Sequence, residues 1–135
     1  MNNLLIWPII LPLMVGLIFI LFRHNILFQR ILSTVTLAAV AGISIILLNQ
    51  IQDDGIQTLQ LGGWQAPFGI GLVADSFSVL LVLTTSLVAF CCLVFSFKTI
   101  GKNRENHYFN ALFLFLITGV NGSFLTGDLF NLYVF

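Results

Sequence analysis

The sequence predicts an all-α integral membrane protein. It reads as a polytopic helical bundle of four complete transmembrane helices plus the start of a fifth. A small extracytoplasmic β-hairpin is expected between helices two and three. Three observations predict this. The 135 residues are 59% hydrophobic and only 7% charged, whereas soluble domains carry about 25% charge. Four uncharged stretches are long enough to cross a bilayer: Leu4–Phe22, Ile31–Leu48, Ser76–Phe97 and Phe109–Thr126. All Asp, Glu, Lys and Arg residues fall outside them, and one charge at a helix centre costs about 2.5–3.5 kcal/mol on insertion scales.

The stretches hold 19, 18, 22 and 18 residues. At about 1.5 Å per residue each covers roughly 27–33 Å, the thickness of the hydrocarbon core. The first is not read as a signal peptide, because Met1-Asn2-Asn3 carries no Lys or Arg ahead of it. Pro8 suits a first helical turn, while Pro12 is expected to bend the helix. A fifth helix is expected over residues 128–135, incomplete within this chain.

The connections set an expected orientation. Arg23, His24 and Arg30 lie in the first, and Lys98, Lys102, Arg104 and His107 in the third. The second, Asn49 to Asp75, has Asp53, Asp54 and Asp75 and no Lys or Arg. The positive-inside rule then places loops 23–30 and 98–108 in the cytoplasm, with the N-terminus outside. Within the outer loop, 50–74, Ile56, Leu59 and Leu61 are interleaved with Gln57 and Gln60 in an imperfect alternation, and Phe68–Val73 forms a second arm around Gly62-Gly63 and Pro67. That pattern reads as a β-hairpin on the membrane surface, with Trp64 at the interface.

Few residues could carry chemistry. No predicted helix holds an ionisable residue at its centre, which is where ion paths usually show themselves. The fourth helix is the most polar. Asn110, Thr118 and Asn121 fall within about 80° of arc at 100° per residue, with Gly119 and Gly122 beside them to permit close approach. They are either one wall of a hydrated path or a seam of interhelical hydrogen bonds. Asp75 and Asp128 each precede an apolar run, the position of a helix cap that meets the positive end of the dipole. Asp128 is also a candidate cation-facing carboxylate at the mouth of a path, with Asn131 three residues on. His107 reads as a solvated loop residue. Cys91 and Cys92 are adjacent and match neither a disulfide framework nor a metal spacing. A phosphate loop, a nucleophile elbow and a metal cluster are all missing from the sequence. No cofactor or metal is expected, and the zero formal net charge leaves no basic footprint for nucleic acid.

The stretches LGGWQAPFGIGLVADSFSVLL (Leu61–Leu81) and NGSFLTGDLFNLYVF (Asn121–Phe135) resemble the opening of bacterial antiporter-like membrane subunits. The similarity is closest to the D subunits of multi-subunit Mrp-type Na⁺/H⁺ antiporters. The same superfamily includes proton-pumping subunits of respiratory complex I and of membrane-bound hydrogenases. The resemblance implies a subunit of about fourteen helices in a bacterial cell membrane, of which residues 1–135 form a single N-terminal membrane segment. It implies export of Na⁺ in exchange for external H⁺, with the other antiporter subunits and the lipid bilayer as partners. It also implies a buried glutamate in helix five and lysines in later helices, all beyond Phe135. No catalytic residue is therefore carried over, and Asp128 and Asn131 match only the lead-in to helix five. Two alternatives stay open: a redox-driven proton-translocating subunit of the complex I type, and a structural membrane scaffold.

Overall fold

A computed structural model describes residues 3–22, 24–60, 71–99, 109–127 and 132. A 3₁₀ turn, Asn3–Leu5, leads into helix α1, Trp7–Leu21. Helix α2 spans Ile26–Asp54, α3 Ser76–Thr99 and α4 Phe109–Leu125. Strands β1, Gln57–Gln60, and β2, Gly71–Ala74, pair antiparallel between α2 and α3, with Leu59 opposite Leu72. Strands are thus present in both expected arms, the second described over Gly71–Ala74. The connection between them, including Trp64, lies outside the described residues.

Helix boundaries follow local chemistry. Pro8 sits in the first turn of α1, where its missing N–H would have had no helical partner. Helix α2 is longer than its uncharged stretch. It begins at Ile26 rather than Ile31 and runs on to Asp54. Arg30, Asp53 and Asp54, expected in loops, are therefore helical. Counting uncharged residues measures what must stay in hydrocarbon; a helix continues through polar residues until something breaks it. Here the breaker is Gly55, whose φ of 85° and ψ of −160° lie in a region that is essentially glycine-only. Its N–H closes the last turn onto the Ile51 carbonyl at 2.9 Å.

The count of four complete spans is not settled by length. Two helices, α2 with 29 residues and α3 with 24, are long and apolar enough to cross a bilayer. Helices α1 and α4 have 15 and 17 residues, about 23 and 26 Å.

The four helices pack in a ring: α1 against α2 and α4, and α3 against α2 and α4. Two apolar clusters fill it. One joins Leu5, Ile9, Val40, Leu47, Ile51, Val79, Val82 and Leu125 to Leu59, Leu72 and Ala74 of the strands. The sheet therefore closes one end of the bundle with its buried face. The other cluster holds Val15, Phe19, Leu37, Ala89, Leu93, Ala111, Leu114 and Ile117.

The surface is apolar, unlike that of a water-soluble protein. Large apolar side chains face outward along every helix, among them Leu21, Leu27, Ile31, Phe77, Phe95 and Leu116. Among its apolar clusters the interior also holds Gln29, Ser33, Thr36, Ser44, Ser86, Asn110, Thr118 and Asn121. Lipid tails are as apolar as Leu, so outward Leu loses nothing there, and small polar residues gather where helices meet. This arrangement fits a membrane-embedded, multi-pass chain.

Candidate functional site: a polar seam along helix α4

Asn110, Thr118 and Asn121 are all buried, the two asparagines completely. Asn110 and Asn121 are eleven residues apart, which returns them to within about 20° on one face and separates them by about 16 Å along the axis. Each asparagine ties α4 to another helix.

Near the start of α4, the Asn110 amide donates to Gln29 Oε1 at 3.2 Å. Gln29 Nε2 in turn donates to the Phe22 carbonyl at 3.2 Å. That carbonyl, where α1 ends, also accepts the Asn25 N–H at 3.4 Å. Gln29 thus bridges α1 and α4, although the sequence placed it in a loop. A signal existed: Gln29, Ser33 and Thr36 recur at helical spacing on the buried face of α2.

Toward the other end, Asn121 Nδ2 donates to the Pro8 carbonyl at 2.9 Å. The partner is explained by Pro12. A residue at position 12 would normally donate its backbone N–H to the carbonyl four residues earlier, but proline has none. The Pro8 carbonyl is thereby freed inside the bundle, and the Asn121 amide reaches across from α4 to take it. A buried acceptor without a donor costs about 1–3 kcal/mol, so the proline and the asparagine form one device.

Thr118 turns its hydroxyl back onto the Leu114 carbonyl at 2.9 Å. Ser33, Thr36, Ser44, Ser86 and Ser96 also donate to carbonyls of their own helices. Close approach between helices occurs at Gly16 of α1 rather than at Gly119. A Cβ on Gly16 would lie 2.6 Å from the Phe115 ring, whereas a Cβ on Gly119 would meet nothing within 4 Å.

Asp75 lies at the start of α3. Its Oδ1 accepts the Ser78 N–H at 2.7 Å, the geometry of an N-cap. Hydrogen bonds from the Ser78 side chain and backbone hold its carboxyl below the usual carboxylate range, so it is ionised at neutral pH. It lines an open cleft of about 460 Å³ with Val73, Ser78, Ser123, Thr126, Gly127 and Leu132. Thr126 forms an isolated bridge to Leu72, and the Gly127 N–H donates to the Gly71 carbonyl at 3.0 Å. The chain leaving α4 is thus pinned to the sheet. Asp128, Asn131 and His107 lie outside the described residues. Cys91 and Cys92 are exposed, unlinked thiols.

Among the described residues, the seam contains no acid and no base. It can hold helices in register and solvate small polar species, but it offers no group that exchanges protons near neutral pH.

Over all of its 135 residues the chain is 49% identical to the D subunit of a Na⁺/H⁺ antiporter of Alkalihalophilus pseudofirmus. From end to end it is similar to antiporter D subunits. That alignment covers 27% of the relative, so the chain spans about a quarter of the relative it matches. No family model matches it. Among solved structures, a chain of the Mrp complex from a Dietzia species superposes with a TM-score of 0.88 over 99% of this chain and 25% of that one. At 23% identity the likeness is one of fold. A chain of the membrane-bound sulfane sulfur reductase, an archaeal respiratory membrane complex, gives a TM-score of 0.86 at 26% identity over 98% of this chain and 28% of that one. In this fold, the two asparagine ties hold α4 to α1 and α2.

Proposed function

We propose that this chain is the N-terminal segment of a D-type subunit in a multi-subunit monovalent cation/proton antiporter, which exports Na⁺ in exchange for external H⁺. The single observation that carries the reading is the 49% identity to a Na⁺/H⁺ antiporter D subunit over the whole chain. On this reading α1 to α4 all cross the membrane, the N-terminus and the sheet lie outside, and a fifth helix starts near Asp128. The role of residues 1–135 is to frame that helix. Asp128, Asn131, Asn121 and Thr118 stand beside the ion path, and the proton-exchanging groups lie further along the polypeptide. Moving one charge across 100 mV yields about 2.3 kcal/mol, so exchange of more than one H⁺ per Na⁺ would run on the membrane potential. Residues 1–135 alone would carry no exchange.

The test uses everted vesicles containing the assembled complex with the full-length subunit. Addition of Na⁺ should collapse a preformed pH gradient, and quinone-site inhibitors should leave that collapse unchanged. Loss of the response when the full-length subunit is deleted, and its return on complementation, would support the reading. A second reading, a subunit of a redox-driven proton-translocating complex, draws on the 26% identity to a chain of the archaeal respiratory membrane complex. Proton movement that ignores Na⁺ and follows electron transfer would favour it.

A further inference from the structure

We infer that Asn121 holds an internal water molecule in the seam between α1 and α4. Asn121 is completely buried. Its amide nitrogen is used by the Pro8 carbonyl, and its Oδ1 receives no hydrogen bond from the described residues. The hydroxyl donors next to it on α4 are already committed. Thr118, one turn away, donates to Leu114 and Ser123 to Gly119. The described residues supply no donor to Oδ1, and a small mobile species can provide one.

The chemistry selects water over a cation. Every buried polar residue in the described bundle is neutral: Gln, Ser, Thr or Asn. A bare cation needs a carboxylate or a full shell of oxygens to offset its desolvation. A buried water needs only two to four polar partners. Asn121 Oδ1 can accept from it. The Thr118 oxygen lies three residues back, on the same side of the helix, and keeps lone pairs to accept a second bond. Asn110 Oδ1 shows the same pattern, but it adjoins residues 100–108, which could supply its donor, so the inference is made for Asn121. It holds whether the complex is driven by Na⁺ or by electron transfer.

The experiment is a high-resolution cryo-electron microscopy map of the assembled complex containing the full-length subunit, recorded in sodium and in choline buffer. A water predicts density about 2.7–3.2 Å from Asn121 Oδ1 in both, absent in Asn121→Leu. Density present only in sodium would overturn the proposal in favour of a cation site. A side-chain or backbone donor on Oδ1, from residues 128–131 or a neighbouring subunit, would overturn it too, as would a dry contact. The wild-type map decides the matter even if the Leu variant fails to assemble.

Discussion

Restoring the backbone donor that proline removes should make Asn121 dispensable. In the structure the Pro8 carbonyl is freed by Pro12 and taken by the Asn121 amide at 2.9 Å. In Pro12→Ala, the new N–H at position 12 can reach the Pro8 carbonyl within α1. Asn121→Leu in the parent chain strands that carbonyl; in the Pro12→Ala background it does not. The full penalty for an unsatisfied buried group is about 1–3 kcal/mol. Measured interhelical hydrogen bonds in membranes are smaller, averaging about 0.6 and reaching about 1.7 kcal/mol. The membrane values govern here, because the unfolded helices also find partners in the bilayer. The expected coupling is thus about 0.6–1.7 kcal/mol, roughly a 3- to 18-fold change in the unfolding equilibrium. The assay is a double-mutant cycle on the full-length subunit, with unfolding followed by steric trapping. The cycle cancels the size difference between Asn and Leu. If the two substitutions add to within about 0.3 kcal/mol, the proline and the asparagine are not one device and the reasoning fails.

Three further outcomes follow from the same geometry. Gly16→Ala should destabilise by about 1–3 kcal/mol through overpacking, since its Cβ would press on Phe115 at 2.6 Å, and Phe115→Leu should recover part of the loss; thermal melting of single and double variants checks this. Gly127→Val should loosen the exit of α4 from the sheet, because a Cβ there meets Val73 Cγ2 at 2.7 Å and the Gly71 carbonyl at 3.3 Å; hydrogen exchange at the residue 127 amide should rise. The Asp75 carboxyl is held low by Ser78, so its contribution is present above its unfolded value and is lost as pH falls through the lower folded value. Asp75→Asn should keep the cap and remove that acid-limb loss, while Asp75→Ala should cost about 0.5–2 kcal/mol at neutral pH; melting temperatures recorded between neutral and acid pH separate the two.

Much of this was legible in the residue order. The apolar runs located the four described helices, because hydrocarbon thickness and the charge penalty act on each segment separately. The strands were only partly legible, from Ile56, Leu59 and Leu61 interleaved with Gln57 and Gln60 and a second apolar arm beyond Pro67. The start of α3 at Ser76 was legible, but both ends of α2 were missed, because Arg30, Asp53 and Asp54 do not break a helix and the uncharged run stops short of Gly55, which does. Asn110, Thr118 and Asn121 stood out as a polar face, but the sequence left their role open between path and seam.

Tertiary structure decided the partners. Pro12 announces a free carbonyl at Pro8, yet nothing local says that an amide 113 residues away will take it. The same holds for Gln29, a plausible loop residue until α4 brings Asn110 against it, and for Gly16, whose small size matters only because Phe115 lies across it. Composition and periodicity report the solvent each residue faces. They are blind to which buried donor meets which acceptor, because that depends on how four helices of similar hydropathy pack around one another.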